Sequence, residues 1–135
     1  MEHIDFFKLQ AKNFLKDFKT KEKDNEGIYY YKPKFFMDIE EIIGDYDINE
    51  HEPFSLMNAQ HIIALLSGFN SWSDLIHSNE FKLKLGKHLF ESRTEFFEGF
   101  PLIIRWQDYE KQLSKDMDDQ AKLGIFEYIF LGIQE

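Results

Sequence analysis

Apolar residues near the start of the chain recur at helical spacing. Phe7, Ala11, Phe14, Leu15 and Phe18 fall three or four residues apart, while Lys8, Lys12, Lys16, Lys19 and Lys23 line another face. This predicts an amphipathic helix over 4–23. Asp24-Asn25-Glu26-Gly27 is turn chemistry that stops it. Ile28-Tyr29-Tyr30-Tyr31 reads as a packed extended loop or a stub of strand. Pro33 suits the first position of a helix carrying Phe36, Ile39, Ile42 and Ile43, with Gly44 beyond its end.

An acidic loop follows over 45–53. Ser55 is placed to cap a helix over 56–67, with Gly68 as its stop. Ser71-Trp72-Ser73-Asp74 fits a capping box ahead of Leu75 and Ile76, so a short helix starts at Trp72. The two helices and the turn 68–71 make a helix–turn–helix hairpin. A further helix is predicted over 79–91 from Phe81, Leu83, Leu85, Leu89 and Phe90. After a break near Gly99, Pro101 opens a helix through Leu113, and Ser114 or Asp116 caps a last one to about Ile133. No strand-period alternation persists over a useful length. The expected fold is all-α, a single irregular bundle of about six helices in one domain spanning 1–135, built around the central hairpin.

Composition narrows the chemistry. With 135 residues and 43% hydrophobic content the chain can bury a core. It has no cysteine, which removes disulfides, thiolate metal sites and thiol nucleophiles. The first five residues have no basic and no apolar region, so no signal peptide is read there. No stretch is long and apolar enough for a membrane span, and a soluble cytoplasmic protein is expected. Net charge is −9, the wrong sign for a general nucleic-acid coat. That charge is uneven. Residues 8–34 hold eight lysines and four acids, a net +4, whereas 35–60 hold seven acids and no base. Arg93 and Arg105 are the two arginines, few for a site built on guanidinium forks.

The richest segment is Ser55-Leu56-Met57-Asn58-Ala59-Gln60-His61-Ile62-Ile63-Ala64-Leu65-Leu66-Ser67-Gly68-Phe69-Asn70-Ser71-Trp72-Ser73-Asp74-Leu75, with Gln10-Ala11-Lys12-Asn13-Phe14-Leu15-Lys16 upstream. The pair resembles a pattern of small uncharacterised bacterial helical proteins, also seen in helical leaders of some ankyrin-repeat proteins. The resemblance covers about residues 8–76 and implies no defined activity. The residues themselves give the segment a structural job. Ala59, Ala64 and Gly68 are small where two short helices cross, and Phe69 and Trp72 fill the wedge. The alternative is a partner-binding groove beside Trp72 and Phe69, with Gln60 and His61 at its rim.

Other motifs weigh less. A DNA-reading helix would present Ser71, Ser73, Asp74 and His77, with no cation before Lys82. Asp45-Tyr46-Asp47-Ile48-Asn49 opens like a calcium loop but has Glu50 where the turn needs glycine and Leu56 where the bidentate glutamate belongs. His3, His51, His61, His77 and His88 show no metal-ligand spacing, and Glu40-Glu41 points two ways from one helix. No nucleophile elbow, P-loop or dinucleotide fingerprint is present, so neither cofactor nor metal is expected. The reading is a non-enzymatic helical module for protein–protein contact, its partner unidentified. The alternative is a nucleic-acid-associated protein using Lys8, Lys12, Lys16 and Lys19, although those lysines could instead lie against the acidic 35–60 block. The last helix is apolar on nearly every face, with Ala121 and Gly124 leaving a smooth patch. It is either the central helix or the face of a homodimer involving Tyr128 and Phe130.

Overall fold

In the computed structural model residues 2–133 are described. They form seven helices and two antiparallel ladders of two residues per strand. The chain divides into two compact units, Ile4–Ile63 and the residues from Ala64 onward. The protein is mostly helical, but two parts of the expected fold need correction: there are seven helices rather than about six, and the fold is not strictly all-α. Ladders this short show no alternation in a sequence, because each strand presents one residue to either side.

The N-terminal unit begins with α1 (Glu2–Phe18), which buries Ile4, Phe7, Ala11, Phe14 and Phe18. The helix expected to reach residue 23 stops at Phe18. Thr20 caps its end, the amide and the hydroxyl both donating to the Asp17 carbonyl (3.1 and 2.7 Å). The chain then enters a hairpin, β1 (Glu22–Lys23) paired with β2 (Tyr29–Tyr30). Asp24 organises its turn, its Oδ1 accepting from the amides of Glu26 and Ile28 (2.8 and 2.9 Å), while Gly27 supplies a left-handed φ of 80°. The aromatic run is therefore a strand stub.

Pro33 does not open a helix. Asp17 prevents it: its carboxylate accepts the backbone N–H groups of Lys34, Phe35 and Phe36 at 2.9, 2.9 and 2.7 Å. Donors committed to a side chain are satisfied without helical geometry, so residues 33–38 stay irregular and α2 (Ile39–Asp45) begins six residues after Pro33. Phe36 packs edge-on against Phe14, with ring centroids 5.2 Å apart, and Ile39, Ile42 and Ile43 are buried. Asp47, at φ 51°, ends the helix by letting the Ile48 amide reach the Ile43 carbonyl (3.0 Å). Ser55 caps α3 (Leu56–Leu66) as expected, with Asn58 returning the contact to the Ser55 amide at 2.8 Å.

In the C-terminal unit Gly68 ends α3 with φ 86°. The amides of Phe69 and Gly68 donate to the carbonyls of Ala64 and Leu65 (2.9 and 3.1 Å), the pattern of a Schellman stop. Ser71 caps α4 (Trp72–Ile76) through the Asp74 amide, and Asn79 caps α5 (Glu80–Glu91) through Lys82. Next comes a hairpin of β3 (Phe96–Phe97) and β4 (Phe100–Pro101), closed by Glu98 and Gly99 with φ of 52° and 85°. Positive φ at both central residues is the turn that matches strand twist.

Pro101 precedes α6 (Leu102–Glu110), which ends three residues short of Leu113. The last helix, α7 (Asp119–Phe130), is capped by Asp118 rather than Ser114 or Asp116, and ends before Ile133. The Ser114 hydroxyl is occupied by the Asp116 amide in a local turn. Leu89, Leu102, Trp106 and Phe126 form the core between α5, α6 and α7.

Candidate functional site

The C-terminal unit carries a groove of about 520 Å³, within the usual range of ligand clefts. Its position follows from the Schellman stop. Gly68 turns the chain so that Phe69 meets α5, and there the helix has Gly86. A Cβ on Gly86 would lie 2.7 Å from the Phe69 ring and 3.1 Å from the Ser67 carbonyl, so the glycine is what lets the turn seat. Phe81, Leu85 and Leu89 follow one another at four-residue spacing along α5, and Trp106 enters from α6. These five side chains give the groove its apolar lining.

Charge sits on the groove's rim. Lys82, Lys111 and Lys122 line it with Glu110 and Asp119. Lys122 is paired with Glu110 at 3.3 Å, and Asp119 accepts from the Asn79 amide nitrogen at 2.6 Å. Charges of both signs thus line the groove together with its apolar side chains. The groove can seat an apolar side chain while its surroundings offer both donors and acceptors.

The residues singled out from sequence distribute unevenly. Phe69, half-buried, lines the groove. Trp72 is half-buried in α4 and does not. Gln60, half-buried, and His61, exposed, belong to α3 in the N-terminal unit, so neither is on the groove's rim. Phe81, Leu85 and Trp106 were not anticipated as site residues. The 81–85–89 spacing predicts the helix and does not by itself mark a groove wall.

Tyr128 and Phe130 separate. Tyr128 is 63% exposed. The Phe130 ring instead packs with Phe97, Trp106, Tyr109 and Phe126, with centroids 4.7, 5.8, 5.9 and 5.4 Å away. The last helix is not wrapped on all sides: Leu123 and Phe126 are its buried residues, and Ala121 and Gly124 are exposed.

Lys8, Lys12 and Lys16 are exposed along α1, and Lys19 lies exposed just past its end. Lys19 keeps the register, its amide donating to the Leu15 carbonyl at 3.0 Å. Among the described residues no ion pair joins these four to the acidic 35–60 block or to any other carboxylate.

The hairpin of this unit has its own polar cluster. Lys21 Nζ lies over the Phe18 and Tyr29 rings (4.9 and 4.8 Å) and donates to the Glu50 carbonyl. Tyr31 donates to Glu50 at 2.5 Å, and burial together with that bond holds its phenol well above the usual range. Burial also raises Tyr46. Glu22 is held low, first by the Tyr30 hydroxyl and then by Lys32.

Three of the histidines have a ring-nitrogen partner. His51 Nδ1 meets the Tyr29 hydroxyl (3.2 Å), His77 Nδ1 the Ser73 carbonyl (2.8 Å) and His88 Nε2 the Glu127 carboxylate (2.9 Å). Among the described residues no group of three acidic or histidine side chains could hold a metal ion. No helix among them is long and apolar enough to cross a membrane. No protein family matches this chain, and neither a curated protein nor a solved structure matches it.

Proposed function

We propose that this protein is a non-enzymatic helical interaction module, and that the groove of its C-terminal unit receives an apolar side chain from a protein partner. The observation that carries this reading is the groove's lining. Phe69, Phe81, Leu85, Leu89 and Trp106 border one cleft of about 520 Å³ that lysine and carboxylate side chains also line. Buried aromatic pockets ringed by polar groups are where the binding energy of protein interfaces concentrates. The Phe69–Gly86 contact supports it further, because it fixes one wall before any partner arrives and so lowers the ordering cost of binding.

Selection from a displayed random-peptide library on the immobilised protein tests this. The expected result is enrichment of peptides that share an aromatic or leucine anchor and lose about tenfold in affinity, or 1.4 kcal/mol, against Phe81→Asp. Enriched peptides indifferent to both Phe81→Asp and Leu85→Asp would contradict the reading, as would no enrichment.

A further inference from the structure

The basic face of α1 is free of acid along most of its length. Between residues 6 and 21 the chain carries five lysines and one acid, Asp17. Asp17 is 1% exposed, and both its oxygens are taken by the amides of Lys34, Phe35 and Phe36. By helical spacing it lies away from Lys8, Lys12, Lys16 and Lys19, among the buried positions of the helix. Lys8, Lys12, Lys16 and Lys19 fall within one side of the helix by their spacing, over a length of about 16 Å at 1.5 Å per residue. They have no ion-pair partner among the described residues. Asp5 is exposed one turn before Lys8 and closes the face at its amino end.

An apolar group adjoins this face: Leu9 is 52% exposed in the same helix, seven residues before Lys16 and beside it by helical spacing. We propose that this face is a docking surface for an acidic, amphipathic helical segment of another protein, its carboxylates meeting the lysines and its apolar edge meeting Leu9. This surface is independent of the groove proposed above.

The chemistry favours a polypeptide over a nucleic acid. Residues 4–63 hold no arginine, so the unit lacks the planar fork that reads bases and stacks on them. The whole chain at −9 repels a long polyanion, whereas three turns of acidic helix match the length of the stripe. An apolar seat beside a cationic row serves a leucine on the partner and offers nothing to a phosphodiester backbone.

Fluorescence anisotropy with a labelled 21-residue peptide decides the matter, its glutamates repeating at i, i+4 and its leucines on the adjoining stripe. The whole protein should bind it at low salt and lose affinity as salt rises. Replacing Lys8, Lys12, Lys16 and Lys19 together by Gln should weaken binding at least tenfold, and Leu9→Ser alone about threefold. All five side chains are exposed, so circular dichroism should show the fold intact. Should the fourfold variant unfold, the single variants Lys12→Gln and Lys16→Gln provide the reading, each weakening binding about twofold. Three results would overturn the proposal: no binding of the peptide, binding indifferent to the lysines, or a 20-nucleotide oligouridylate binding more tightly than the peptide.

Discussion

The two units solve the same problem with different materials. In the C-terminal unit β3, α6 and α7 are joined by rings: Trp106, Phe126, Phe130, Tyr109 and Phe97 stack, tilt or meet edge-on over centroid distances of 4.7 to 6.1 Å. In the N-terminal unit the segment between the hairpin and α2 has neither helix nor strand, and one carboxylate takes three of its amides beside the edge-on contact of Phe36 with Phe14. Aromatic pairs add about 0.5–1.5 kcal/mol each beyond the area they bury, and losing one leaves the others in place. A buried carboxylate with three backbone donors has no such reserve, because each donor left unpaired costs about 1–3 kcal/mol.

The largest effect should therefore come from Asp17. Asp17→Ala strands three amides and should destabilise the protein by about 3–6 kcal/mol in urea unfolding. A loss below about 1 kcal/mol would show that water replaces the carboxylate freely. Trp106→Ala comes next, at about 3–5 kcal/mol, as large core truncations do. Trp106 is 2% exposed and Trp72 is half-buried, so Trp72→Ala should cost less than Trp106→Ala. Equal losses would return Trp72 to the role of wedge.

Glycine sharpens the comparison inside α5 and α7. Gly86→Ala drives a methyl into the Phe69 ring and should destabilise by about 1–3 kcal/mol. Gly124 faces open space, so Gly124→Ala should stabilise by about 1 kcal/mol through helix propensity. A Gly124→Ala variant that instead splits a species of twice 16.3 kDa in light scattering would establish the homodimer expected of the last helix.

The smallest effect is alkaline. Tyr31 and Tyr46 are raised in the folded protein, so their contributions are complete below the ordinary phenol range near pH 10 and are lost as pH rises through the folded values. The melting temperature should fall above pH 10, and Tyr31→Phe should flatten that fall. An unchanged slope in Tyr31→Phe would place the loss elsewhere.

Much of the helical skeleton was legible because its signals are local. Ser55 and Ser71 cap the helices that they precede, Gly68 stops α3, and the apolar spacing from Phe7 to Phe18 matches the buried face of α1. What was missed depends on partners distant in sequence. Nothing near Pro33 says that Asp17, sixteen or more residues earlier, will claim the next amides. A hint existed: Asn13 and Asp17 both fall among the apolar positions of α1, and both are buried. The hairpins were hidden by their length, although Glu98-Gly99 between Phe97 and Phe100 was a turn signal. Of the candidate groove, Phe69 was visible as a site residue. Phe81 and Leu85 were not, because the same spacing describes a core face and a groove wall.

Amide hydrogen exchange at Lys34 and Phe35 tests the account most directly. Both side chains are exposed, neither residue is in a helix or strand, and their only described shelter is the Asp17 carboxylate. These two amides should exchange as slowly as the buried turns of α1, together with Phe36. Exchange at the rate of a free peptide would mean that Asp17 does not hold the segment.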